Sequence, residues 1–137
     1  HFAEVEVNME TGKIKVVDYA AVHDVGRVIN RLGIEGQLEG GVQMGLGYAL
    51  SEDMIRDEKG KLKNTTFRNY KMFRALDMPE IKSDYIEEGE MPGPFGAKSI
   101  AEIATTVVAP AVVNAIADAL NRDFESIPIL PEQIISG

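Results

Sequence analysis

The chain of 137 residues contains no cysteine, and its only histidines are His1 and His23. It therefore carries no disulfide, no thiolate nucleophile, and no cysteine-held zinc or iron–sulfur cluster. Two histidines leave little material for a histidine-rich metal site. A basic patch is missing as well: the net charge is −8, the opposite of what contacts to nucleic-acid phosphates need. No continuous apolar run approaches the roughly 18 residues of a membrane span, and no signal peptide opens the chain. A cytoplasmic protein with no nucleic-acid or membrane partner is the expectation. The first residue is not methionine, and His1 runs straight into a strand-like stretch. That pattern predicts a piece of a longer polypeptide.

What is present describes an ordinary globular domain. Apolar residues make up 45% of the chain and charged residues 26%, enough to bury a core. "FAEVEVNM" alternates, with Val5, Val7 and Met9 on one side and Glu4, Glu6 and Asn8 on the other, as a half-buried strand does. Gly12 offers a tight turn before "IKVVDYAAV", so residues 2–22 read as a hairpin. Residues 23–33 read as a loop. "MIRDEKGKLKNTTFRNYKMFRALDMPE" reads as short strands and loops with a turn at 57–61, "IKSDYIEE" as another strand, and 89–98 as an irregular segment.

Two helices stand out. Ile34, Leu38, Val42, Leu46 and Ala49 keep helical spacing, yet Gly36, Gly40, Gly41, Gly45 and Gly47 lie among them. Those glycines cost a helix about 4–5 kcal/mol relative to alanine. Either tight packing or the approach of a ligand to bare backbone has to offset that. From Ile100 to Leu120 the apolar residues hold a second 3.6-period stripe, in which Pro110 predicts a kink or a split into two stacked helices. The last stretch, 122–137, reads as extended structure and loop. The expected fold is a two-layer α+β domain, a β-hairpin and mixed sheet packed against two long helices. It occupies residues 1–137 as a single domain.

Three motifs bear on chemistry. Gly45-Leu-Gly47 fails as a dinucleotide fingerprint, because Leu50 stands where the third glycine belongs and no strand precedes it. His23-Asp24 lacks the further histidines of a metal phosphohydrolase and reads as a loop hydrogen-bonding pair. "GAKSIAE" is ambiguous. Ser99 and Glu102 have the spacing of a helix capping box, but a glutamate after a Gly- and Pro-rich loop can also face a ligand.

Taken in order, these stretches resemble the carboxy-terminal part of the molybdenum hydroxylases, the xanthine dehydrogenase and aldehyde oxidase family. "FAEVEVNMETGKIKVVDYAAVHDVGRVIN" resembles the family's hairpin and its Asp-x-Gly-x-x-Ile-Asn loop. "GQLEGGVQMGLGYALSED" resembles its glycine-rich helix, "GAKSIAEIATTVVAPAVVNAI" its cofactor-contacting segment, and "SIPILPEQI" its closing segment. Arg31, Met44 and Ala101 depart from the family's commoner residues. The resemblance implies a molybdenum–pyranopterin cofactor, with Gln37 hydrogen-bonded to the pyranopterin. Backbone at Lys98, Ser99, Ile100 and Ala101 would line the cofactor, with no metal ligand from this chain. Glu102 would be the general base in hydroxylating an sp² carbon of an N-heterocycle or aldehyde, with water as the oxygen source. The "GAKS" form leans toward purine substrates. Iron–sulfur clusters and FAD would sit on partner domains or subunits, and the fragment alone would be inactive. The alternative is a non-catalytic acidic α+β scaffold or interaction domain in which Glu102 only caps a helix.

Overall fold

The computed structural model of the chain describes residues 1–88 and 93–136. Residues 89–92 of the expected irregular segment lie outside the described residues. Strands β1 (Phe2–Val7) and β2 (Ile14–Asp24) form the expected antiparallel hairpin. Gly12 turns it in the left-handed region at φ 67°, and the Asn8 carboxamide oxygen accepts from the Glu10 and Thr11 amides. Val5 opposes Val16 while Glu4 opposes Asp18, so Val17 is an extra residue. This bulge shifts the side-chain phase of β2. Val16 faces the core before it, and Tyr19, Ala21 and His23 face the core after it.

Strand β3 (Glu80–Ile86) lies parallel to β2, which gives a mixed sheet in the order β1-β2-β3. Parallel pairing needs a crossover, and helix α1 (Arg31–Leu50) lies within it. The second expected long helix is two pieces, α2 (Ile103–Thr106) and α3 (Val108–Leu120). The break falls at Val107 and not at Pro110. Pro110 sits in the first turn of α3, where the amide it lacks has no intrahelical partner anyway. The expectation of two long helices is thus corrected to one of 20 residues and one of 13 with a short helix ahead of it.

Helices α1 and α3 cover one face of the sheet. Tyr19, Val42, Leu46, Val108, Val112, Ile116 and Ile129 form the shared core. The stretch Ile103–Leu120 does have the length and mean hydropathy, 1.7, of a membrane span, contrary to the sequence-based expectation. Its most apolar stripe is already occupied, since Ala104, Val108, Val112 and Ile116 are fully buried against the rest of this chain. The carboxy-terminal stretch also departs from expectation. It contains a short helix α4 (Pro131–Ile135), started by Pro131 and by the Gln133 side chain accepting from the Leu130 amide at 2.8 Å.

Candidate functional site

The Asp-x-Gly-x-x-Ile-Asn run does three local jobs. Asp24 is the last residue of β2, so the strand ends later than expected and the loop is confined to residues 25–30. The Asp24 carboxylate accepts from the Gly26 amide at 2.9 Å and from the Glu88 amide at 3.3 Å, and pairs with the Lys98 ammonium. Lys98 and the Gly26 amide hold its carboxyl below the usual carboxylate range. Gly26 sits at φ 60°, and a Cβ there would meet the Gly96 carbonyl oxygen at 2.3 Å. Asn30 caps α1 by accepting from the Gly33 amide at 3.0 Å. His23, paired with Asp24 in the sequence reading, serves a different cluster. It is buried, and its Nε2 lies 2.6 Å from Nε2 of His1, whose Nδ1 lies 2.8 Å from the Tyr19 hydroxyl.

Residues 96–98 are pinned to that loop. Arg27 N–H donates to the Gly96 carbonyl at 2.8 Å, Lys98 N–H donates to the Val25 carbonyl at 3.0 Å, and Gly26 pairs with Ala97 as an antiparallel bridge. These contacts hold residues 96–98 against the loop, with Ala97 extended, and the helix begins only at Ile103. The Ser99–Glu102 capping box is therefore not formed. Glu102 itself occupies the position before the first helical residue, and its carboxylate makes no hydrogen bond or ion pair among the described residues. Its carbonyl starts the helix, accepting from the Thr105 and Thr106 amides at 3.0 and 3.1 Å. Among the described residues, the amides of Ser99, Ile100, Ala101 and Glu102 donate no hydrogen bond. Lys98 differs from its neighbours, because its amide and its ammonium are both already engaged.

Four glycines of α1 fall into two sets, while Gly33 faces Asn30 and Gly47 faces the Glu52 side chain. A Cβ on Gly41 would lie 2.4 Å from the Cβ of Ala104, and one on Gly45 would lie 2.3 Å from the Cβ of Val108. Both are close helix–helix contacts. The equal four-residue steps mean that α1 runs parallel to α2 and α3 at this crossing. Ile100 packs against the buried cluster of Val25, Ile34, Leu38 and Ala104, which places it beside the first half of α1, where Gln37 lies. Gln37 and the 99–102 segment thus share one end of the domain. Gly36 and Gly40 flank Gln37, and a Cβ on either would meet nothing within 4 Å. Gln37, Ser99, Ala101 and Glu102 are exposed, while Lys98 and Ile100 are half-buried. A cleft of about 920 Å³ lies toward the other end of α1, lined among others by Lys15, Leu50, Phe67 and Leu76. None of the candidate residues lines it.

Residues 1–79 match the sequence profile of the molybdopterin cofactor-binding domain. The chain belongs to this family. It is 34% identical over 134 residues to the putative xanthine dehydrogenase molybdenum-binding subunit of Escherichia coli K12, covering 97% of the chain and 18% of that subunit. It is 35% identical over 138 residues to the gamma subunit of the 6-hydroxypseudooxynicotine dehydrogenase complex of Paenarthrobacter nicotinovorans, covering 97% of the chain and 17% of that subunit. Among solved structures, quinoline 2-oxidoreductase from Pseudomonas putida 86 superimposes with a TM-score of 0.88 at 34% identity, over 96% of this chain and 17% of that one. The chain thus spans less than a fifth of the length of these relatives.

The family's cofactor can be tested against the residues present. A molybdopterin-type group is anionic and rich in hydrogen-bonding atoms. Amides at Ser99, Ile100 and Ala101 that donate no hydrogen bond among the described residues, the exposed Gln37 carboxamide, and open helix backbone at Gly36 and Gly40 suit such a group. Among the described residues, no cluster of three His, Asp or Glu side chains is placed to hold a metal ion. The fit is that of one wall of a cofactor site, made of hydrogen-bond donors and open backbone.

Proposed function

We propose that the chain is the carboxy-terminal part of the large subunit of a molybdenum hydroxylase, and that Glu102 is the general base of its reaction. Residues 1–137 form one domain of that subunit. The bound cofactor supplies the metal centre that activates oxygen and takes up electrons. The chain's own residues do the rest of what is proposed here. Gln37 and the amides of Ser99, Ile100 and Ala101 bind and orient the cofactor, with Lys98 holding the segment that presents them. The Glu102 carboxylate accepts a proton as water-derived oxygen is transferred to an electron-poor sp² carbon. A positioned base of this kind contributes roughly 10²–10⁴ in rate.

The observation that carries the reading is the Glu102 carboxylate, without a partner among the described residues, at a helix start whose capping box is not formed. A capping glutamate would be turned back on its own backbone. A scaffold role also leaves Gly36 and Gly40 without a reason, at about 2 kcal/mol of lost helix stability. The relatives' names point to xanthine, 6-hydroxypseudooxynicotine and quinoline, so a nitrogen heterocycle is the proposed substrate class. One relative is named as a subunit of a dehydrogenase complex. Iron–sulfur and flavin partners would carry the electrons away, in the cytoplasm.

Glu102→Gln in the complete enzyme tests the base. Turnover per molybdenum should fall by about 10²–10⁴ while molybdenum content stays level. Near-normal turnover with a full complement of molybdenum would refute the assignment.

A further inference from the structure

We propose that Asp24 and Lys98 form a latch that positions the Glu102 segment, making them positioning residues of the reaction. The proposal rests on the reading of Glu102 as the base. The two residues lie 74 positions apart, and neither is offered here as touching substrate.

The segment from Gly93 to Ala101 has little structure of its own. It contains one 3-10 turn, Pro94–Gly96, in which Phe95 takes a left-handed conformation at φ 55°. A non-glycine residue in that region is strained and persists only where its surroundings hold it. Phe95 is 83% exposed, so packing of its ring is not what holds it. What holds the segment is the end of β2. Three links converge there: the Lys98 amide on the Val25 carbonyl, the Arg27 amide on the Gly96 carbonyl, and the Lys98 ammonium on Asp24. Only the last of these involves side chains.

Asp24 is in turn fixed by the Gly26 and Glu88 amides, and the Val28 amide donates to the Glu87 carboxylate at 2.9 Å. The latch therefore ties three separate chain segments, 24–28, 87–88 and 96–98, at the sheet end nearest Glu102. Only three residues separate Lys98 from Glu102. Loss of the ion pair frees 96–98 to shift, and the carboxylate moves with it. A general base displaced by about 1 Å can lose up to 100-fold in rate.

The test uses the complete enzyme and the variants Asp24→Asn, Lys98→Met and Lys98→Arg. Asp24→Asn keeps an oxygen for the Gly26 and Glu88 amides but removes the charge that holds Lys98. We expect turnover per molybdenum to fall about 10- to 100-fold in Asp24→Asn and Lys98→Met, with KM little changed. Lys98→Arg keeps the cation and should recover most of the loss. The second readout is independent of activity. Hydrogen exchange of the bonded Arg27, Gly96, Ala97 and Lys98 amides should quicken in the two disabling variants, with β1 as an unchanged internal reference. Normal turnover per molybdenum in both variants, or wild-type exchange at the Arg27, Gly96, Ala97 and Lys98 amides, overturns the latch. Where a variant loads no molybdenum, the exchange result on the apo subunit decides alone. Normal turnover in Glu102→Gln would end the base reading while leaving the exchange result standing, so the two failures are separable.

Discussion

Replacing Gly41 by alanine places a methyl group 2.4 Å from the Cβ of Ala104 and 2.8 Å from its carbonyl carbon. Neither atom can rotate away, so α1 and α2 must separate. Alanine adds about 1 kcal/mol of helix propensity, and overpacking of this kind costs about 1–3 kcal/mol. With backbone as the obstacle the upper half of that range applies, leaving a net loss of about 1–2 kcal/mol. Gly40 is the adjacent residue, and a Cβ there meets nothing within 4 Å. Gly40→Ala should therefore gain the full propensity term, about 1 kcal/mol. The two single-methyl variants are expected to differ by about 2–3 kcal/mol, roughly a 30- to 150-fold difference in the opening of α1. Native-state hydrogen exchange of the α1 amides in the complete subunit reads this opening directly. Equal protection of α1 in the two variants would refute the assignment of Gly41 to packing and Gly40 to open space. The proposed cofactor wall adds a second consequence. Gly40→Ala should lower molybdenum content in the same preparations that show the better protected helix.

Asn30→Ala removes the cap of α1 and should cost about 1 kcal/mol, seen as faster exchange confined to the first turn of α1. His23 gives a pH dependence: burial holds its pKa below the ordinary 6.5. A histidine depressed on folding contributes stability that is present above about pH 6.5 and lost as the pH falls through the lower folded value. The advantage of wild type over His23→Gln, read as the thermal midpoint of the complete subunit, should shrink on acidification. An advantage that grows instead would refute it.

Much of the local structure is legible in the sequence because its causes are local. The β1–β2 hairpin follows from Val5 and Val7 alternating with Glu4 and Glu6 and from the turn at Gly12. The α1 stripe from Ile34 to Ala49 is a periodicity that survives its glycines, and Asp57 and Gly60 make the expected turn. The order of four motifs also carried the family. Other features depend on partners distant in the chain. The break between α2 and α3 was legible as a possibility at Pro110, but its position at Val107 was not. Helix α4 escaped notice because Pro131 and Gln133 mark a start only once residues 131–135 are packed and held off the extended path.

The candidate site shows the division most clearly. From the sequence alone, the family resemblance carried by the order of the motifs gave the expectation that Gln37, a glycine-rich helix and Glu102 belong to one constellation. The sequence could not decide between cap and free carboxylate at Glu102, because Ser99 and Glu102 have the right spacing for a box. The tertiary structure decided that point through Asp24, Val25 and Gly26, which draw residues 97–98 onto the end of β2, and the helix starts only at Ile103. It also decided which glycines pack and which stay open, since Gly40 and Gly41 are indistinguishable until α2 lies against one of them. Each of these outcomes is set by a contact between residues more than sixty positions apart, and no local periodicity or spacing encodes such a contact.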